Sequence, residues 1–300
     1  MIPKVSVCVV TYNQKKYIRQ CLQSIVDQVT DFDFEILISD DCSTDGTRMI
    51  VQEFSTRYPK IVKYFFHEVN VGAYKNYLFA HAQVHSEYVS HMDGDDLMLP
   101  GKLQAQVDVL ESDPHCTVVW HRMNLFDDDR NFCVPNIPDV GAFKEGKVYL
   151  EDVLQFGSVS FHSSTMYRSS ARKTKYSEID LLDWYFSVEY LRAGYGIYLE
   201  EILGEYRYGN QSITRKANGE NRVQAILLVS LTYYLEELPS YRKQIFIHAL
   251  IAFVVNMKNR RPVAKRFGIL ALKTIVFVSP SELVLAFRRF RKINPPIRIQ

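Results

Sequence analysis

The sequence predicts an α/β fold, with a mostly parallel central sheet flanked by helices and a helical C-terminal extension. Three observations point there. Short β-branched runs alternate with stretches of helical apolar spacing through the first 120 residues. The polar clusters Thr11-Tyr12-Asn13, Asp40-Asp41 and Asp93-Gly94-Asp95-Asp96 each close one of those runs, and ligands of open parallel sheets bind at that carboxyl edge. From about Gly219 the pattern turns helical to the end.

Each element has its own signal. Val5 to Val10 is a continuous apolar run, the mark of a strand buried on both faces. Tyr17, Ile18, Cys21, Leu22, Ile25 and Val26 then recur at helical spacing. Glu35 to Ser39, Ile61 to Phe66, Glu87 to Met92 and Thr117 to Trp120 read as further strands. Thr47–Tyr58, Tyr74–Val84 and Lys102–Leu110 read as the helices between them. Beyond these, Phe126 to Gly146 is loop-like and Phe161 to Tyr167 is a strand candidate. Leu181 to Ala193 has helical spacing, and Tyr195 to Tyr206 reads as a strand pair. The expected division is an α/β part over 1–215, itself split near residue 110, and a helical basic region over 216–300.

Composition narrows the class. The 300 residues are 47% hydrophobic and 23% charged, which suits a globular chain with a sizeable core. Five cysteines, none in a C-x-x-C pair, argue against a zinc site or a disulfide framework and for a reducing compartment. The N-terminal apolar run lacks a cleavage site and predicts no secretory leader. No uncharged apolar run reaches the ~18 residues of a membrane span. Neither G-x-G-x-x-G nor G-x-x-x-x-G-K-[ST] occurs, which disfavours dinucleotide and P-loop chemistry.

Asp93, Asp95 and Asp96 crowd three carboxylates into four residues. A divalent cation relieves that repulsion, and Mg²⁺ characteristically joins one or two carboxylates to substrate phosphates. The same residues also suit a solvated acidic turn. Gly94 permits a tight backbone path beside a ligand. Asp41 can accept hydrogen bonds from a nucleobase, and Tyr12 can stack on it. Ser43, Thr44 and Asp45 read instead as caps for the following helix.

The segments VSVCVVTYN, EILISDDCSTDGT, NVGAYKN and EYVSHMDGDDLMLPGKL, in that order, resemble the family 2 glycosyltransferases of the GT-A fold. The resemblance covers about the first 110 residues and continues more weakly to about 215. It implies inverting transfer of a sugar from a nucleotide diphosphate donor, a UDP-sugar in the first instance, with Mg²⁺ or Mn²⁺. By resemblance, Thr11, Tyr12 and Asn13 border the nucleotide and Asp41 meets the base. Asp93 and Asp95 hold the metal, Asp95 more directly, and Lys75 or Asn76 faces the donor. The resemblance also places the general base at the start of a later helix, at Asp183, with Asp180 as runner-up. The Glu that usually precedes it is Leu182, and a His usual further on is Gly209. His162 and Arg207 are candidates for acceptor or phosphate contacts. A nucleotide-sugar-binding protein of the same fold that has lost catalysis is the competing reading. The Q-x-x-R-W signature of processive synthases is missing, so one sugar per encounter is expected.

The net charge of +2 conceals an asymmetry. Residues 258–300 carry eleven Lys or Arg and the single acid Glu282, a balance of +10, which leaves −8 for the rest. A basic, apolar-rich tail points to an anionic partner. An anionic membrane surface is the expected one, at the cytoplasmic face of the cell membrane, with a glycan or polyprenyl-linked glycan as acceptor of the kind used for O-antigen or capsule. A second copy of the chain is the other candidate, and nucleic acid is not expected because no recognition motif accompanies the charge.

Overall fold

A computed structural model of the chain describes residues 2–127, 132–135, 139–173, 183–208 and 219–294. The chain forms two compact units. The first comprises Met1–Asn136, Ser160–Tyr176 and Tyr190–Tyr208; the second comprises Ile137–Val159, Ser177–Glu189 and Gly209–Gln300.

The first unit is built on one sheet. Its strands are β1 (Val5–Thr11), β2 (Phe34–Asp40), β3 (Val62–Phe66), β4 (Tyr88–Asp93), β5 (Leu97–Met98), β6 (Cys116–Asp127) and β7 (Phe132–Pro135). Beyond β8 (Lys147–Val148), β9 (Met166–Arg168) and β10 (Tyr195–Arg207) complete it. The order is β3-β2-β1-β4-β9-β6-β10-β5, with β7 on β6. β1 runs parallel to both β2 and β4, and β2 to β3. β9 is antiparallel to both β4 and β6, and so joins two half-sheets with three residues. Helices α1 (Ile18–Val26), α2 (Thr47–Arg57), α3 (Ala73–Ala82) and α4 (Lys102–Ser112) connect the strands, as parallel pairing calls for crossover connections. The apolar runs read from the sequence form the core: Val5, Val7, Val9, Ile36, Ile38, Met92 and Val119 are buried with Ile18, Leu22 and Ile25 of α1.

Several sequence expectations change. Phe161–Tyr167 is no continuous strand: His162–Ser164 makes a 3₁₀ turn and only Met166–Arg168 is extended. Tyr195–Tyr206 is one long strand rather than a pair, with register shifts between Leu199 and Gly204. Its irregularity mimics a turn in the sequence. The loop-like 126–146 stretch contains the end of β6 and strand β7, which pair with each other.

The second unit is helical: α5 (Leu150–Phe156), the first part of α6 (Asp183–Leu191), α7 (Gly219–Glu237), α8 (Arg242–Lys258), α9 (Ala264–Thr274) and α10 (Pro280–Ile293). Its interior is tied by polar groups as well as apolar ones. Trp184 Nε1 donates to the Val153 carbonyl at 2.7 Å, and the Tyr234 hydroxyl to Glu189 at 2.9 Å. Arg289 reaches Asp152 at 2.8 Å. Among the described residues no helix is long and apolar enough to cross a membrane.

Candidate active site

All three polar clusters fall at the carboxyl edge of neighbouring strands. Thr11 closes β1 and is buried, whereas Tyr12 is 49% exposed. Asn13 takes a left-handed backbone, φ 51°. Its N–H donates to Ser43 Oγ and its Oδ1 accepts from the Thr44 N–H, each at 2.8 Å. The N–H groups of Gln14 and Lys15 donate to Thr47 Oγ1 and to Asp45, each at 2.9 Å. The loops after β1 and β2 are therefore laced into one rim. Ser43 serves that lacing rather than capping α2. Asp45 does meet the start of α2, accepting from the Thr47 N–H at 2.9 Å.

Asp41 is buried and already engaged. Its carboxylate accepts the N–H of Val71 at 2.6 Å and of Gly72 at 3.0 Å. Gly72 has φ 88° and precedes α3, a backbone shape that an L side chain resists. Asp41 thus fastens the loop that launches α3. Lys75, in the first turn of α3, is exposed. Asn76 is not available to a donor: it is buried, accepts from Ser39 Oγ at 2.6 Å and donates to the Ser39 carbonyl at 3.1 Å. One step along the helix turns it toward β2.

The acidic turn after β4 divides into two parts. Asp93 and Asp95 are partly exposed, whereas Asp96 is fully buried. Asp96 accepts from Ser163 Oγ at 2.5 Å and from the Arg207 N–H at 2.9 Å. It is a structural acid. Ser163 Oγ in turn accepts the Asp93 N–H at 3.0 Å, so the 3₁₀ turn at 162–164 pins the motif. Gly94 is demanded by close approach: a Cβ there would lie 2.6 Å from Gln14 Oε1 and 3.1 Å from Thr11 Cβ. Burial, and then the neighbouring Asp93, push the Asp95 carboxyl up to about 6. Burial and both neighbouring aspartates raise Asp96 well above the carboxylate range. A dication beside Asp93 and Asp95 would relieve that repulsion, and their oxygens suit it chemically.

Arg207 does not extend into solvent. It is buried, its Nε donates to the Asp95 carbonyl at 2.8 Å and its Nη2 to Gln20 at 3.0 Å. Its guanidinium stacks over Tyr17 and Phe126, 4.3 Å from each centroid. It braces the backbone of the motif instead. Two residues escaped the sequence reading. Lys102 is fully buried, donates to the Ser163 carbonyl at 2.6 Å, and is pulled down to about 7 by burial. His91 lies buried two residues before Asp93, 3.2 Å from its Oδ1. A lone histidine inside an apolar strand gave only the H-x-D spacing as a hint. His162 sits beside it, ring centroids 3.8 Å apart.

In the second unit, Asp183 is the first described residue of α6 and is exposed. Asp180, Leu182 and Gly209 lie outside the described residues.

A mostly parallel sheet with an acidic turn at its carboxyl edge defines a protein of the GT-A class. Residues 6–172 match the model of Glycosyl transferase family 2. That is more than half of the chain, and the protein belongs to this family. An uncharacterised Mycobacterium tuberculosis protein is 29% identical over 222 residues, 72% of this chain. The chain spans only 62% of the length of that relative. TuaG of Bacillus subtilis, named as a teichuronic acid biosynthesis glycosyltransferase, is 29% identical over 217 residues, 71% of this chain and 82% of TuaG. S. aureus TarS 1-349 in complex with UDP-GlcNAc superposes with a TM-score of 0.59 at 21% identity, covering 90% of this chain and 89% of that one. The mannosyltransferase PcManGT of Pyrobaculum calidifontis, in complex with GDP-Man and Mn²⁺, gives 0.57 at 15% identity, covering 97% and 87%. At these identities the two structures share the fold.

Proposed function

We propose that the protein transfers one sugar from a nucleotide diphosphate sugar, a UDP-sugar in the first instance, to a hydroxyl of a glycan or lipid-linked glycan. Transfer proceeds with inversion and with a divalent cation, in the building of a bacterial surface polysaccharide. The observation that carries this reading is the convergence of the Thr11–Asn13 rim, the Asp41 clamp and the Asp93–Asp96 turn on one sheet edge. Family membership supports the reaction class, TuaG's name supports the polysaccharide setting, and the bound UDP-GlcNAc of TarS supports the donor type.

On this reading residues 1–215 carry catalysis and 216–300 carry attachment. Tyr12 and the laced loops border the base and ribose, and Asp41 acts by holding the 70–72 loop in place. Lys75, exposed in the first turn of α3, is the cation offered to a diphosphate. Asp93 and Asp95 would hold the cation, which would supply Lewis-acid stabilisation of charge on the diphosphate. Asp183 takes the proton from the acceptor hydroxyl as that oxygen attacks the anomeric carbon, an assignment resting on the family resemblance. With Asp183→Asn, turnover falls at least ~10³-fold while donor binding by calorimetry is unchanged. Undiminished turnover removes Asp183 from the mechanism. Donor binding without turnover in the wild-type protein, across a panel of nucleotide sugars and acceptors, favours the catalytically silent alternative.

The helical region rests on an anionic bilayer. Phe277 is 92% exposed, Leu272 70% and Ile275 63%, all near the α9–α10 connection, with Lys273 among them. An isologous contact between two copies would set like-charged tails of +10 against each other, whereas anionic lipid complements them.

A further inference from the structure

Strand β4 carries a second constellation that shares Asp93 with the diphosphate reading and adds two histidines that the reading leaves unused. Side chains two apart on a strand share a face, so His91 and Asp93 project together, with Nε2 and Oδ1 3.2 Å apart. The 3₁₀ turn at His162–Ser164 adds a third donor from a separate segment. One ligating atom from each of His91, Asp93 and His162 lies within 4.8 Å of the others. His91 is buried, while Asp93 and His162 are partly exposed, so the trio is rigid on one side and reachable on the other.

Behind His91 stands a supporting chain. Its Nδ1 is 3.0 Å from His81 Nε2, and His81 Nδ1 is 2.6 Å from the Tyr167 hydroxyl. In one tautomer of this chain His91 Nδ1–H donates to His81, His81 Nδ1–H donates to Tyr167, and the His91 Nε2 lone pair points toward Asp93. A metal-binding histidine is oriented by a hydrogen bond of this kind from its other nitrogen. Tyr77 stacks on both His81 and His162, with ring centroids 3.9 Å and 5.0 Å away, and fixes their planes.

We propose that His91, Asp93 and His162 form a two-imidazole, one-carboxylate site for a first-row transition-metal dication such as Mn²⁺, Co²⁺ or Zn²⁺, in preference to Mg²⁺. Imidazole nitrogen suits these ions, whereas Mg²⁺ holds to oxygen. The His91–Asp93 spacing already matches two neighbouring ligands at ~2.1 Å from one ion. Closing the remaining gap falls to His162. Three protein ligands leave coordination positions open, and the Asp95 carboxylate and phosphate oxygens can take them. Only the occupant of those positions rests on the transfer reading; binding of the ion does not.

The test uses the full chain, stripped with a chelator and titrated calorimetrically with Mn²⁺, Zn²⁺ and Mg²⁺. The Mn²⁺-loaded protein is then examined by pulsed electron paramagnetic resonance for ¹⁴N couplings. The expected results are one Zn²⁺ or Mn²⁺ per chain, bound about tenfold or more tighter than Mg²⁺, with ¹⁴N couplings from coordinated imidazole. His162→Ala weakens Mn²⁺ binding by about 10–100-fold and reduces the ¹⁴N signal, with circular dichroism unchanged. Asp95→Asn keeps that signal. Lack of ¹⁴N coupling in the wild type, or equal affinity for Mg²⁺, overturns the proposal whether or not the variants fold, and so does a His162→Ala protein that binds Mn²⁺ normally. Failure of every nucleotide sugar to bind would instead overturn the transfer reading and leave the ¹⁴N result standing.

Discussion

Asp95 is held in a site that disfavours its charge when no cation is near. Its folded carboxyl, at about 6, lies above the ordinary ~3.9. The sign follows from proton binding: the folded state keeps the proton longer, so its stabilising contribution is complete below ~3.9 and is lost as pH rises through about 6. Asp95→Asn therefore raises the metal-free melting midpoint at pH 7.5 by about 2–4 °C, for roughly 1 kcal/mol. The gap shrinks as pH falls toward 4, and the variant loses the additional midpoint shift that donor plus metal gives the wild type. Scanning calorimetry at the two pH values checks both parts, and a variant less stable than wild type at pH 7.5 defeats the account. The acids of this motif were legible in the sequence because three carboxylates in four residues require an explanation. The division of labour among them was not. Asp96 turns inward to Ser163 and Arg207, 67 and 111 residues away in the chain, and no local spacing announces such partners. For the same reason the bracing contacts of Arg207 and Asn76 were not legible in the sequence.

At the scale of elements, helices and parallel strands were readable where periodicity was clean. β1, β2 and β4 emerge from short, mainly apolar runs, and α1 from its spacing. β5 has two residues and β9 three, too few for any period to show. β10 bulges, and so loses the alternation that marks a strand. The end of α10 shows the opposite case, where local chemistry is explicit. Ser279 accepts from the Glu282 N–H at 3.2 Å, Glu282 returns the bond to the Ser279 N–H at 3.0 Å, and Pro280 opens the helix. Ser279→Ala lowers stability by about 1 kcal/mol, seen as a shift in the urea midpoint with the slope unchanged. An unshifted midpoint means the cap is idle.

For the molecule as a whole, the proposed membrane attachment follows from the charge of the sequence, +10 over residues 258–300 against −8 for the rest. The full chain co-sediments with phosphatidylglycerol vesicles at low salt, is released as ionic strength rises, and ignores phosphatidylcholine vesicles. Phe277→Asp together with Leu272→Asp abolishes co-sedimentation while leaving donor binding intact. If the double variant instead alters the mass in solution by sedimentation equilibrium, the patch is a subunit interface and the membrane assignment falls. The three-residue strand β9 has a consequence for synthesis. β1 to β4 can pair as soon as residue 93 has left the ribosome, yet among the described residues β6 has no strand pairing to that half until Met166–Arg168 arrives. For the interval between, the nascent chain carries two unjoined sheet fragments with bare edges. Translation pauses before residue 166 should therefore favour aggregation, and pauses after 207, once β10 is in place, should be harmless.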